Sequence, residues 1–79
     1  MDGMITSAQC RAARGLLDWT QQQLADQARV GVVTIRQLEW GVGTPRRSTL
    51  EVVQRALEAA GVDLIDDNGV GVGVRLRKV

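Results

Sequence analysis

Few residues of this sequence carry side chains that could support catalysis or bind a metal. The chain has no histidine and one cysteine, Cys10, so it offers neither a nucleophile paired with a general base nor the ligands of a zinc site. The acidic segment DLIDDNG departs from a calcium loop because Leu64 stands at the first ligand position and no closing glutamate follows. We therefore expect no catalytic residue, no metal, no cofactor and no enzymatic activity.

Arginine is the functional group that the sequence supplies in quantity. The chain has a net charge of +1, and nine of its ten basic residues are arginine. A guanidinium group suits bidentate contacts to phosphate and to guanine, although GC-rich genomes also favour arginine. A net charge this small neither favours nor excludes nucleic acid as a partner, because the placement of the charges matters more than their sum.

The length predicts one small domain with a thin core. A chain of 79 residues buries a smaller fraction of its surface than a larger domain does, and such chains often need a disulfide, a metal or a partner subunit. A single cysteine excludes an intramolecular disulfide, so we expect a second chain. No apolar run approaches the roughly 20 residues of a membrane span, and the opening MDGMITS lacks the features of a signal peptide. We expect a cytoplasmic protein with no membrane partner.

Helical periodicity and capping residues predict four helices. Thr6 or Ser7 caps the first, Thr20 with Gln23 forms a capping box for the second, and Ser48 with Glu51 forms a box for the fourth. A glycine, Gly41, is expected to end the third helix in a left-handed conformation. The expected ends of the helices lie near Leu17 or Asp18, Arg29, Gly41 and Ala60.

The hydrophobic period changes from helical to alternating after Gly61. Asn68 and Gly69 form a strong signal for a tight hairpin turn, and VGVGVRLRKV alternates as a half-buried strand does. The alternation places on one face Val70, Val72, Val74 and Leu76. We predict a mainly α domain over residues 1–61 and a C-terminal β-hairpin over residues 62–79.

The segment LADQARVGVVTIRQLEWG breaks a helix at Gly31 and starts another at once. We expect Gly31 to supply the backbone freedom that the change of direction needs. A helix, a turn of three or four residues and a second helix is an arrangement that reads DNA, since the second helix can enter the major groove. The same spacing also fits an ordinary helical hairpin in a small bundle, and both interpretations are open from spacing alone.

The segment WTQQQLADQARVGVVTIRQLEWG resembles the helix-turn-helix of the Cro/phage-repressor family, also called the xenobiotic-response-element family. The residues that carry the resemblance are Thr20, Gln21, Leu24, Ala25, Ala28, Val30, Thr34, Ile35, Leu38, Glu39 and Gly41. The expected order continues downstream with Pro45, Leu50, Leu57, Gly61 and Val62, so the resemblance covers residues 6–62. The hairpin resembles a subgroup of small bacterial regulators that end in GVRLRK. A repressor-like four-helix fold followed by a hairpin is thus implied.

The resemblance also implies roles for individual residues. The positions that read base edges are Val32, Val33, Arg36 and Gln37. The residues expected at DNA phosphates are Arg14, Thr20, Gln21, Thr34, Trp40, Arg46 and Arg47. In relatives, the residues matching Arg14 and Glu39 form a partly buried ion pair; the alternative for Glu39 is an ordinary surface glutamate.

Several positions depart from the family pattern. Val32 and Val33 replace the polar residues usual at the tip of the reading helix, so they would pack on thymine methyl groups rather than donate hydrogen bonds. A basic residue usually follows the glycine that ends this helix, and here Arg46 and Arg47 would take over its phosphate contact or remain solvated. Trp40 would either cover the edge of the core or lie on the DNA backbone.

The hairpin is expected to form a homodimer. An exposed edge strand invites pairing with a second copy, and the predicted interface consists of Val70, Val72, Val74 and Leu76. The alternative is that the hairpin only covers the thin core. Arg75, Arg77 and Lys78 are expected on a solvated face rather than at DNA.

These expectations describe a sequence-specific regulator of transcription that binds double-stranded DNA. A dimer would occlude a palindromic promoter site as a repressor, often of its own gene in this family, with no small-molecule effector because no pocket-forming domain is present. An alternative is an antitoxin-like module whose main partner is another protein. The chain lacks the long disordered arm expected for wrapping a toxin, which makes this alternative the weaker one.

Overall fold

Four helices are followed by a two-stranded antiparallel hairpin in the computed structural model, which describes residues 4–77. The helices are α1 (Ser7–Leu17), α2 (Gln21–Ala28), α3 (Val32–Trp40) and α4 (Arg47–Ala59), and the strands are β1 (Val62–Ile65) and β2 (Gly73–Leu76). The predicted fold class is confirmed. None of these helices combines the length and the apolar character needed to cross a membrane.

The first two helices begin at capping boxes. The Thr20 hydroxyl accepts from the Gln23 amide at 3.0 Å, and the Gln23 side chain accepts from the Thr20 amide at 2.8 Å. Thr6 and Gln9 make the same reciprocal pair at 3.1 and 3.0 Å. Each box satisfies two amides that a helix N-terminus leaves without an intrahelical partner. The predicted start of α2 is confirmed, and of the two candidate caps for α1 the structure uses Thr6.

The predicted capping box of the fourth helix is wrong. The helix begins at Arg47, with Arg46 as an N-cap residue whose side chain makes no capping hydrogen bond. An N-cap needs an extended backbone, and Ser48 already lies inside the first turn. Glu51 pairs instead with Arg47 one turn earlier, at 3.8 Å between Nε and Oε2.

The predicted tight hairpin turn is also wrong. The strands pair from Val62 opposite Leu76 to Ile65 opposite Gly73, so residues 66–72 form the connecting loop. The Asp67 carboxylate accepts from the amides of Gly69 and Gly71 at 2.9 and 3.1 Å. This local side-chain bonding competes with a strand ladder. Val70 and Val72 therefore lie in the loop, outside the strand that the alternating pattern predicted.

The core is shared by all four helices and the first strand. Its buried apolar residues are Ile5, Cys10, Ala13, Leu24, Ala25, Ala28, Ile35, Leu38, Val53, Leu57 and Val62. Leu64 and Val74, which face each other across the hairpin, pack against this core while remaining partly exposed. The hairpin thus covers one side of the helical domain.

Gln9 joins the first helix to both strands. Its side chain is buried, and Nε2 donates to the carbonyl oxygens of Ile65 at 3.1 Å and Gly73 at 2.9 Å. Because its Oε1 accepts from the Thr6 amide, one side chain serves the helix cap and the hairpin together.

Candidate nucleic-acid interface

One face of α3 is exposed along its whole length. The residues of this reading stripe are Val33, Arg36, Gln37 and Trp40: Arg36 and Gln37 follow Val33 by three and four residues, and Trp40 follows Gln37 by three. Side chains at such spacings lie on one side of a helix. On the opposite side, Ile35, Leu38 and Glu39 are buried. The helix is thus held by one face and presents the other to solvent.

The structure separates the residues predicted to read bases. Val33, Arg36 and Gln37 belong to the reading stripe, whereas Val32 is half-buried and packs against the core. Thr34, predicted at a phosphate, is half-buried as well. Trp40 is 71% exposed, so it does not cover the core edge.

The turn before α3 uses a different residue from the one predicted. Gly31 has φ −70° and ψ 147°, which any residue adopts, and a Cβ atom there would meet nothing within 4 Å. The left-handed residue is Arg29, with φ 59°. The expectation that Gly31 supplies the backbone freedom is therefore wrong. Its φ and ψ are those of an ordinary N-cap residue, and the chain changes direction at the left-handed end of α2.

A carboxylate of α3 joins three elements at the base of the site. The Glu39 side chain is 1% exposed and accepts two hydrogen bonds from Arg14. Nε of Arg14 donates to Oε2 at 2.7 Å, and Nη2 donates to Oε1 at 2.8 Å. Gln21 Nε2 also donates to Oε1, at 3.1 Å. Burial raises the pKa of Glu39, but the hydrogen bonds from Arg14, Gln21 and Cys10 together lower it by more. The net pKa of Glu39 therefore lies below its ordinary value. The structure thus brings Arg14 and Glu39 together as a bidentate pair that orients Gln21.

Arg14 and the start of α2 form one edge of the site. Arg14 Nη1 donates to the Trp19 carbonyl at 2.9 Å, so this guanidinium spans α1, the chain before α2, and α3. The Gln21 main-chain amide belongs to the first turn of α2, where helix amides favour an anion. The Thr20 hydroxyl oxygen accepts from the Gln23 amide in the cap, so its O–H can still donate to a phosphate.

Arg46 and Gln37 border a common cleft of about 340 Å³ between α3 and the start of α4. Thr34, Pro45 and Thr49 contribute to its walls. Arg46 and Arg47 are both exposed. A predicted base-reading residue and a predicted phosphate-binding residue therefore lie on the two sides of one opening.

Cys10 lies beneath the carboxylate and is fully buried. Its Sγ donates to Glu39 Oε2 at 3.3 Å. Burial and the neighbouring Glu39 raise the pKa of the Cys10 thiol to about 12. The thiol is thus a structural donor in its neutral form.

We expect Cys10 to resist alkylation in the folded protein, because the thiolate is the reactive form and reagent has no access. Iodoacetamide at pH 8 should leave the native protein unmodified by mass spectrometry and should modify it fully in urea. Rapid modification of the native protein, at the rate of a free peptide thiol, would contradict this arrangement.

Two residues that the sequence reasoning missed also contact α3. Ser7 Oγ donates to the Leu38 carbonyl at 2.6 Å, and Arg11 Nη1 donates to the Glu39 carbonyl. Both share a helical stripe with Arg14, at spacings of seven and three residues. This helical spacing was the one feature of the sequence that could have indicated that Ser7 and Arg11 face α3 together with Arg14.

The outer side of the hairpin neutralises part of its own charge. Asp63 Oδ2 accepts from Arg75 at 3.1 Å, and its Oδ1 accepts from Arg77 at 2.6 Å. Hydrogen bonds from Arg77 and Arg75 hold the pKa of Asp63 below its ordinary value. Lys78 lies outside the described residues.

These features define a helix-turn-helix protein with an exposed reading helix and a C-terminal hairpin. A family model described as helix-turn-helix matches residues 11–66, and the chain belongs to this Cro/C1-type, xenobiotic-response-element family of DNA-binding regulators. The predicted resemblance is thereby confirmed. A comparison with curated proteins gives no significant match.

Proposed function

We propose that this protein is a sequence-specific, dimeric repressor of transcription that occludes a palindromic promoter site, including that of its own gene. The observation that supports this most is the reading stripe of α3, which is exposed over its whole length while the other face is buried. A helix held in this way can enter the major groove with its side chains at the base edges.

The stripe suggests which bases the operator carries. Val33 is exposed and would pack on a thymine methyl group, while Arg36 suits guanine and Gln37 suits adenine. Val32, which is half-buried, contributes at the edge of this contact. Each half-site would thus contain a thymine near a guanine or an adenine.

Contacts to the DNA backbone would surround the stripe. The proposed phosphate-binding residues are Arg14, Thr20, Gln21, Thr34, Trp40, Arg46 and Arg47. The Gln21 main-chain amide and the exposed Arg46 guanidinium lie at different elements, so they can hold the backbone at separate points. Such contacts supply affinity and register, whereas base contacts supply specificity.

The proposed dimer interface is the hairpin. Val70, Val72 and Leu76 are exposed, and Val72 borders a small, mostly apolar groove against Ala8 and Ala12 of α1. Val74 packs partly against the core of its own chain. A second copy would remove the exposed apolar side chains from water.

Val70→Asp should weaken dimerisation at least tenfold, because it would place an unpaired charge in the apolar contact. Val70 is 90% exposed, so the substitution spares the monomer core, which a change at Val74 would not. Sedimentation equilibrium measures the effect, with Val42→Asp as the control because Val42 is an exposed valine outside the hairpin. A dimer dissociation constant that Val70→Asp leaves unchanged would contradict the proposed interface.

The function is tested by gel-shift titration on the DNA upstream of the gene, beside unrelated DNA of the same length at two salt concentrations. Selective binding that survives the higher salt supports a repressor and yields the operator by footprinting. Equal binding to both DNAs that collapses with salt would indicate phosphate attraction alone. The antitoxin-like alternative would then be pursued by pull-down of a protein partner.

A further inference from the structure

Four side chains on one stripe of α1 donate hydrogen bonds to the C-terminal turn of α3. The four donors, which we call the clamp, are Ser7, Cys10, Arg11 and Arg14. Cys10 and Arg14 hold the Glu39 carboxylate. Ser7 and Arg11 instead hold main-chain carbonyl oxygens, those of Leu38 and Glu39.

The two kinds of contact constrain different things. A carboxylate can follow its partners by rotating about its own side-chain bonds, whereas a main-chain carbonyl moves only with its helix. The last carbonyls of a helix have no intrahelical partner, and the amide of Gly41 at the end of α3 reaches those of Gln37 and Leu38. Arg11 therefore donates to the Glu39 carbonyl, which the Gly41 amide does not reach.

Arg11 also supplies a charge that α3 lacks. The negative end of a helix dipole attracts a cation, and the last turn of α3 contains no basic residue. A guanidinium from a neighbouring helix occupies that place. The contact adds a link between α1 and α3 that a lysine or arginine of α3 itself would not supply.

We propose that Ser7 and Arg11 are positioning residues that set the tilt of α3 and thereby the sequence selectivity of the protein. The inference rests on the proposed function, in which the reading stripe meets base edges. The helix has nine residues, and at a rise of about 1.5 Å per residue a tilt of about 10° at the clamped end moves the other end by about 2 Å. A displacement of this size is enough to break a hydrogen bond between a side chain and a base edge.

The experiment compares Ser7→Ala, Arg11→Met and the double variant with Arg55→Met. Arg55 is an exposed arginine on α4, so this control removes the same charge without touching the clamp. Equilibrium binding is measured on an operator selected by the wild-type protein from random duplexes and on unrelated DNA, at one salt concentration and a temperature at which circular dichroism shows each variant folded. Residual dipolar couplings of the α3 amides report its tilt in the free protein.

The double variant should lose about tenfold in the ratio of operator affinity to unrelated affinity, while its binding to unrelated DNA stays within twofold of the Arg55→Met control. The α3 couplings should change in the double variant alone, and Arg11→Lys should restore most of the ratio because lysine can still donate to the carbonyl. Equal weakening on both DNAs would show a direct phosphate contact by Arg11 and would overturn the proposal.

The two readouts separate this inference from the proposed function. A wild-type protein with no preference among duplexes would refute sequence-specific reading, whatever the couplings show. Unchanged couplings in a folded double variant, beside a selective wild-type protein, would refute the clamp alone.

Discussion

Glu39→Ala should lower the free energy of unfolding by about 3 kcal/mol, because removing one partner of a buried ion pair leaves the other charge uncompensated. Glu39 is 1% exposed and accepts from Arg14, Gln21 and Cys10, so the substitution removes three donors' common acceptor. Urea denaturation followed by circular dichroism measures the change. For a domain of this size, such a loss corresponds to a fall in Tm of about 15 °C.

Glu51→Ala is the matched control for this prediction. Glu51 pairs with Arg47 at 3.8 Å on the surface of α4, and exposed pairs at this spacing contribute less than about 0.5 kcal/mol. A loss at Glu39 no larger than the loss at Glu51 would contradict the assigned role of the buried pair.

The difference between wild type and Glu39→Ala should shrink in acid. The folded pKa of Glu39 lies below its ordinary value, so the carboxylate stabilises the fold above the unfolded pKa of about 4.3. This contribution is lost progressively as the pH falls through the folded pKa. Urea titrations between pH 7 and pH 3 measure the convergence, and a constant difference over that range would exclude the linkage.

Gln37→Ala should weaken binding to the operator by about 2 kcal/mol and relax the preference at one base pair. Gln37 is exposed in the middle of the reading stripe, and removing its amide takes away both a donor and an acceptor for adenine. Fluorescence anisotropy on the operator and on its single-base variants measures both effects. The reduction should be largest on the operator itself.

Gln27→Ala provides the control because Gln27 is an exposed glutamine on α2 outside the stripe. Its operator affinity should match that of the wild-type protein. A Gln37→Ala variant that binds every duplex more weakly by the same factor would show that Gln37 contacts the backbone and reads no base.

The parts of the fold that follow from local chemistry were predictable from the sequence. The start of α2 depends on Thr20 and Gln23, and the end of α3 depends on Gly41, which has φ 71°. In each case residues close in sequence satisfy amides or carbonyls that the helix leaves open. The expected capping box at Ser48 failed because α4 begins two residues earlier, with Arg46 rather than Ser48 as its N-cap, and a capping motif alone cannot exclude an earlier start.

The hairpin shows why alternation was a weaker guide. The alternating pattern predicts a strand for residues that the structure places in a loop, where the Asp67 carboxylate accepts from the amides of Gly69 and Gly71. The periodicity of apolar residues carries no information about these two hydrogen bonds. Likewise, nothing local shows that Arg11 reaches a carbonyl in α3, since the contact depends on how the two helices pack.

Gln9 has a consequence for the order in which this protein can mature during synthesis. Its buried amide group donates to the carbonyl of Gly73, which lies 64 positions further along the chain. A buried donor without a partner is costly, and a ribosome adds residues one after another over seconds. The Gln9 side chain therefore gains all of its hydrogen bonds only after β2 has emerged from the ribosome, whereas the capping box of Thr6 and Gln9 can form as soon as α1 is made.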